Sequence, residues 1–155
     1  MSGPLGTSGG GAAGVTSVTA GNGITVTGTT TPTIAISTPT SGAVYTTNAS
    51  PLTLTGTAAD NVGVTQVMWA NDRGGSGTAT GTTGWTASGI GLQAGANVLT
   101  VTAQDAAGNV GTRTLTVAYD ASAPTVSITA PTAGATVSGA VTVTGNAADN
   151  IAAVG

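Results

Sequence analysis

Apolar and polar residues alternate with a period of two along most of this chain, in short runs broken by Gly, Pro, Asn and Asp. That period belongs to strands with one buried face, because successive side chains leave opposite faces of a pleated backbone. The pattern predicts a strand over Thr33–Ser37, with Ile34 and Ile36 on one face, and another over Leu52–Thr57, with Leu52, Leu54 and Gly56 in phase. Val64–Ala70 follows, carrying Val67 and Trp69 together, then the short segments Thr78–Gly81 and Gly84–Ser88, the latter holding Trp85. Val98–Ala103 sets Leu99, Val101 and Ala103 on one face, and Arg113–Tyr119 sets Leu115, Val117 and Tyr119 in phase. Pro39 breaks a ladder because proline has no N–H to donate. Asn71-Asp72-Arg73-Gly74-Gly75, Gly95-Ala96-Asn97 and Gly108-Asn109 supply turns.

The alternation is itself repeated. Residues 34–64 read IAISTPTSGAVYTTNASPLTLTGTAADNVGV, and residues 126–155 read VSITAPTAGATVSGAVTVTGNAADNIAAVG. Pro131 and Gly134 follow Pro39 and Gly42 by 92 positions; after a three-residue deletion, Gly145 and Asp149-Asn150 follow Gly56 and Asp60-Asn61 by 89. Such a period is too long for a solenoid and suits a small β-sandwich. About seven strands with turn signals every 8–12 residues fit an immunoglobulin-like sandwich over residues 33–120. Residues 121–155 hold only the first two strands of a second copy. Residues 1–14 are Gly/Ser-rich and are expected to be flexible, and residues 15–32 alternate around Gly21-Asn22-Gly23 as a β arm or hairpin.

Composition agrees with an all-β chain. Thr is about one residue in five and Gly adds 26 more, whereas Lys, Glu, His, Cys and Phe are absent. Thr and Val suit pleated, half-buried surfaces because branching at Cβ stiffens χ1. Two Arg and a net charge of −3 leave nothing to neutralise a run of phosphates, which argues against nucleic-acid binding. No run of 18 apolar residues is present, so membrane insertion is not expected. The N-terminal MSGPLGTSGGGAAG has neither a basic nor an apolar region of the kind a Sec signal peptide needs. Without His, Cys, Glu or Lys, a nucleophilic Ser or Thr lacks a conventional base, so the chain reads as no enzyme.

Four pieces carry a more specific signal together: Ala59-Asp60-Asn61, Trp69-Ala70-Asn71-Asp72-Arg73-Gly74, Leu92-Gln93-Ala94-Gly95, and Ala103-Gln104-Asp105-Ala106-Ala107-Gly108-Asn109. With them the chain resembles the bacterial Ig-like repeats that occur in tandem in large secreted and cell-surface proteins. The N-terminal GVTSVTAGNGITVTGTTTPTIAI is similar to segments common in phage fibre and trimeric surface proteins. The resemblance implies an extracellular or virion-surface location.

The resemblance also raises a calcium site, since some Ig-like arrays bind that ion through Asp and Asn in loops after strands. Asp60, Asn61, Asp105 and Asn109 stand in such places, and calcium takes 6–8 oxygen ligands. The competing reading is turn chemistry, in which Asp and Asn accept backbone N–H groups locally. No other cofactor is expected. Trp69, in phase with Val67, reads as core; Trp85 lies in a Gly/Thr-rich segment that leaves more room for exposure and a cell-surface glycan, yet with no Phe and only Tyr45 and Tyr119 besides, the two Trp are better explained as the bulk that fills a Val/Leu/Ala core.

The incomplete copy is the remaining clue. Two strands cannot bury a core. Val126, Ile128, Val141 and Val143 alternate well enough to complete a sheet in a neighbouring subunit, with strands expected at Val126–Thr129 and Val141–Gly145. Truncation of a longer array and disorder are the other readings. The sequence thus points to a non-catalytic structural protein that associates with itself or other subunits through terminal β arms. A phage virion component (fibre, tail or decoration), a secreted filament subunit, and a spacer or weak glycan-binding module of an adhesin are its three settings.

Overall fold

The structure is a computed structural model and describes residues 18–20, 24–26 and 30–149. The flexible N-terminus expected over residues 1–14 and the Gly21-Asn22-Gly23 turn lie outside the described residues. In chain order the strands are β1 (Val18–Ala20), β2 (Ile24–Val26), β3 (Thr33–Thr38), β4 (Val44–Thr47), β5 (Leu52–Ala59), β6 (Val64–Asn71), β7 (Ser76–Thr78), β8 (Gly84–Ile90), β9 (Gly95–Asp105), β10 (Val110–Tyr119), β11 (Thr125–Ala130) and β12 (Thr144–Ala148).

Two sheets make the sandwich. One has the order β3-β5-β8 and the other β4-β10-β9-β6-β7. All pairings within them are antiparallel except β4 with β10, which run parallel from Val44↔Thr116 to Thr47↔Tyr119. The predicted alternation decides the core. Leu52, Leu54, Gly56 and Ala58 face inward from β5, and Trp85, Ala87 and Ile90 from β8. Across the gap stand Val67, Leu99, Val101, Ala103, Leu115 and Val117. Each fully buried Leu, Ile or Val contributes about 1.5–3 kcal/mol. No helix interrupts the described chain, and the fold is an all-β, immunoglobulin-like sandwich.

Several elements differ from the pattern reading; the return strand of the second hairpin, expected at Val141–Gly145, is β12 at Thr144–Ala148, which begins where its pairing with β11 begins. Strand β4 was not expected, because Val44 and Tyr45 are adjacent and show no alternation; its pairing with β10, a remote partner, makes it a strand and half-buries Tyr45. Strand β7 sits at Ser76–Thr78 rather than Thr78–Gly81, with Gly77 opposite Trp69. A Cβ on Gly77 would lie 2.9 Å from Trp69 Nε1, so the missing side chain makes room for the indole. Trp85 is buried as core bulk, while Trp69 is half-buried against the margin of the core. The reason is Gly56, directly opposite Trp85 on β5: it leaves the space that the indole fills.

Strands β1 and β2 pair with each other from Val18↔Val26 to Ala20↔Ile24. Strands β11 and β12 form a separate two-stranded sheet.

Candidate functional site

The candidate calcium residues occupy two loops at one end of the sandwich. Asp60 and Asn61 lie between β5 and β6, and Asp105 and Asn109 flank the turn from β9 to β10; Val64 pairs with Asp105, which brings the two loops to the same end. Each loop uses its own carboxylate. Asp60 Oδ2 accepts the N–H groups of Val62 at 2.9 Å and Gly63 at 3.3 Å, and its Oδ1 accepts the Thr30 hydroxyl at 3.0 Å. The Thr30 hydroxyl also meets the Asn61 side-chain oxygen. Asp105 Oδ1 accepts the N–H groups of Ala107 at 2.8 Å and Asn109 at 2.9 Å, while Oδ2 accepts the Asn109 side-chain amide at 2.7 Å.

That amide, helped by the backbone N–H groups of Asn109, Ala107 and Gly108, holds the Asp105 carboxyl below the usual carboxylate range, against the opposing effect of burial. Asp105 and Asn109 therefore close one turn between them, and Asp60 caps the N–H groups of Val62 and Gly63 in the other. Among the described residues no group of three or more His, Cys, Asp or Glu side chains is placed to hold a metal ion. These contacts are turn chemistry, with the carboxylates acting as caps for backbone donors.

A polar cluster that the pattern reading did not single out stands at the other end. Asn97 is fully buried, and all four hydrogen-bonding positions of its amide are used. Its Nδ2 donates to Gln93 O at 2.7 Å and Gly95 O at 3.0 Å; its Oδ1 accepts Gln93 N at 3.0 Å and Asn71 Nδ2 at 3.2 Å. Asn71 Nδ2 also reaches Gly91 O at 2.9 Å, and its Oδ1 accepts Arg73 N at 3.1 Å. Asp72 Oδ1 accepts Val98 N at 2.7 Å. The cluster pins the loop before β9 to the turn after β6. Its signal in the sequence is an Asn at an inward-facing position of an alternating strand.

Neither tryptophan forms an open stacking platform. Trp69 borders a shallow groove of about 410 Å³ on the β6–β7 edge, lined with Met68, Thr78, Thr100 and Thr102. Trp85 Nε1 is buried without a hydrogen-bond partner among the described residues, inside the core rather than at a surface.

The four residues expected to mediate assembly are exposed to different degrees. Val126 is 76% exposed, Ile128 67%, Val141 42% and Val143 62%. Their counterparts in the first copy, Ile34, Ile36, Leu52 and Leu54, are half-buried or buried. Yet the two hairpins have the same construction. In β3–β5, Ile34 faces Ala58, Ile36 faces Gly56 and, after a bulge, Thr38 faces Thr55. In β11–β12, Val126 faces Ala147, Ile128 faces Gly145 and, after a bulge, Ala130 faces Thr144. Even the outer bond recurs: Thr33 Oγ1 donates to Ala59 O at 3.0 Å, and Thr125 Oγ1 to Ala148 O at 3.1 Å.

Two family models match the chain in succession. The family model for glucodextranase, domain B, matches residues 32–121, and that for a bacterial Ig domain matches residues 124–155. The phage-fibre-like segment lies mostly before both matches and partly outside the described residues. No curated protein matches the chain. Similar solved structures include fibronectin(III)-like modules of Clostridium thermocellum CbhA, 22% identical over 76% of this chain and 64% of that one, with a TM-score of 0.44. CopC from Methylosinus trichosporium OB3b is 15% identical over 57% of this chain and 94% of that one, with a TM-score of 0.40. An engineered protein is 23% identical over 57% of this chain and 20% of that one, with a TM-score of 0.42. A complete sandwich spanning the first match, followed by a second opening hairpin of the same register, is a tandem pair of Ig-like units, and the chain belongs to the glucodextranase domain B family.

Proposed function

We propose that this chain is a structural module of an extracellular or virion-surface object, in which the complete Ig-like unit is the rigid body and residues 121–155 are the joining element. The observation that carries this reading is the apolar row Val126, Ile128, Val141 and Val143, exposed in a hairpin whose twin is buried. A phage virion component and a secreted filament subunit are the two settings in which such a row is covered by another subunit. The low charge of the chain favours both, since a net charge of −3 is weak protection against association.

The test is assembly. The full chain should self-associate or bind a structural partner through contacts above roughly 1,000 Å². Deleting residues 121–155 should abolish that association in light scattering and electron microscopy. Unchanged assembly after the deletion removes the reading.

A second reading has its own support. Two Ig-like family matches in tandem, two residues apart, also suit a passive spacer or weak glycan-binding module of an adhesin. A strictly monomeric chain, with or without added glycan, favours the spacer.

A further inference from the structure

The chain enters the complete unit at one end and leaves it at the other. Strand β3 begins where Thr33 pairs with Ala59, beside the Asp60 loop, and β10 finishes at the far end, where Tyr119 pairs with Gly95. Tension transmitted through the flanking chain therefore runs along the strands. The entering segment is fastened. The Thr30 hydroxyl donates to Asp60 Oδ1 at 3.0 Å, and Pro32 is buried over Gly111, where a Cβ would collide with Pro32 O. The leaving segment is fastened too: Asp120 N donates to Thr47 O and Ser122 N to Asp120 Oδ1, both at 2.9 Å.

We infer that the β4–β10 pair is a mechanical clamp, and that the complete unit has the further function of bearing tension along its length. Strand β4 is an edge strand of the five-stranded sheet and runs parallel to β10 from Val44↔Thr116 to Thr47↔Tyr119. Tension reaches β4 at its start, by way of β3, and draws it toward the entry end. It reaches β10 at its finish and draws that strand toward the exit end. The two strands are pulled lengthwise past each other, so their evenly spaced hydrogen bonds carry the load together rather than one after another. Residues 43, 45 and 47 face β10: Thr116 N donates to Ala43 O and Asp120 N to Thr47 O, each at 2.9 Å, which leaves Val44 and Thr46 to direct their backbone groups to the open edge. Side chains add resistance to sliding. Tyr45 stands opposite the fully buried Val117 and packs against the core, so displacing β4 drags an aromatic ring out of it. On the way to β4, β3 is drawn lengthwise along β5 in the same sense. The inference concerns residues 30–122 and holds whichever object carries the chain.

The experiment is single-molecule force spectroscopy on the full chain. Cysteine is otherwise absent, so pairs of introduced cysteines fix the points of attachment. Thr31→Cys with Ala121→Cys, both at exposed positions, loads the unit end to end. Asn48→Cys with Ala121→Cys instead pulls on the adjacent finishing ends of β4 and β10 and peels them apart one pair at a time. Unfolding should need severalfold more force end to end than in the peeling geometry. In the end-to-end geometry, Thr47→Pro removes an N–H that faces β10 and should speed unfolding at a given load by about three- to tenfold, whereas Thr46→Pro alters the open edge and should have a much smaller effect. If Thr47→Pro prevents folding, the two attachment geometries on the otherwise unaltered chain decide alone. Equal forces in the two geometries, or equal effects of the two proline variants, overturns the inference.

Discussion

Hairpins β3–β5 and β11–β12 share sequence pattern, register and bulge, yet one is core and the other is surface. Leu54 is fully buried and its counterpart Val143 is 62% exposed. The difference lies in no local feature of either hairpin. Strands β6, β9 and β10 of the facing sheet close over the first, with β8 beside it in its own sheet, and give its apolar face something to bury against. Pairing alone builds a hairpin, whereas burial needs a second layer. Elements that depend on later strands fail to form in the second copy: Tyr45 lies on β4 and pairs with β10, whereas the matching Val137 is exposed and outside any strand.

The sharpest way to break the comparison is to truncate the same position in both copies. Leu54→Ala should destabilise the sandwich by about 2–5 kcal/mol in chemical denaturation, through lost burial and a cavity. Val143→Ala should change it by less than about 0.5 kcal/mol in the unassembled chain. A large effect at Val143 would mean that the second hairpin already has a covering surface.

Next in size is the polar cluster that holds the first unit closed. Asn97→Ala should cost about 1–3 kcal/mol, because it strands the Asn71 amide, Gln93 N–H and the Gln93 and Gly95 carbonyls. The loss should appear in the same cooperative transition as Leu54→Ala. A separate, earlier transition would show that the loop before β9 opens by itself.

The pH dependence comes third. Asp105 has a depressed native pKa, so the stability it contributes is fully present above its unfolded value, near 3.8, and is lost as the pH falls through the lower native value. Melting temperature should therefore decline on the acid side, and Asp105→Asn should flatten that decline. An unchanged acid slope in the variant would assign it to other carboxylates.

The smallest expected effect concerns calcium. With the Asp60 and Asp105 oxygens already accepting turn donors, millimolar calcium or a chelator should leave the melting temperature of the full chain unchanged. A clear calcium-dependent rise would instead make the end carrying both loops a metal site.

Much of the first unit was legible from alternation alone. Leu99, Val101 and Ala103 are buried and Val98 is exposed, as the two-residue period requires. Asp105 and Asn109 were legible as a pair at a strand end, though whether they cap a turn or bind an ion depends on where the N–H groups point. Trp85 was legible as core bulk, but the space it fills was not, because its partner Gly56 is distant in sequence and carries no side chain. Asn97 was passed over as a turn residue, since its buried position depends on Asn71 and Gln93 coming together.

By itself, then, the sequence determined the all-β class, the inward faces of the main strands and the existence of a second, repeated opening hairpin. Those follow from side-chain period and from turn residues, which act over a few positions. Only the tertiary structure decided that β4 is a strand, that Gly56 makes the space for Trp85, and that Asn97 is buried where Asn71 and Gln93 meet. Burial is a property of two surfaces that meet, and the residues of one strand do not specify whether its partner is there.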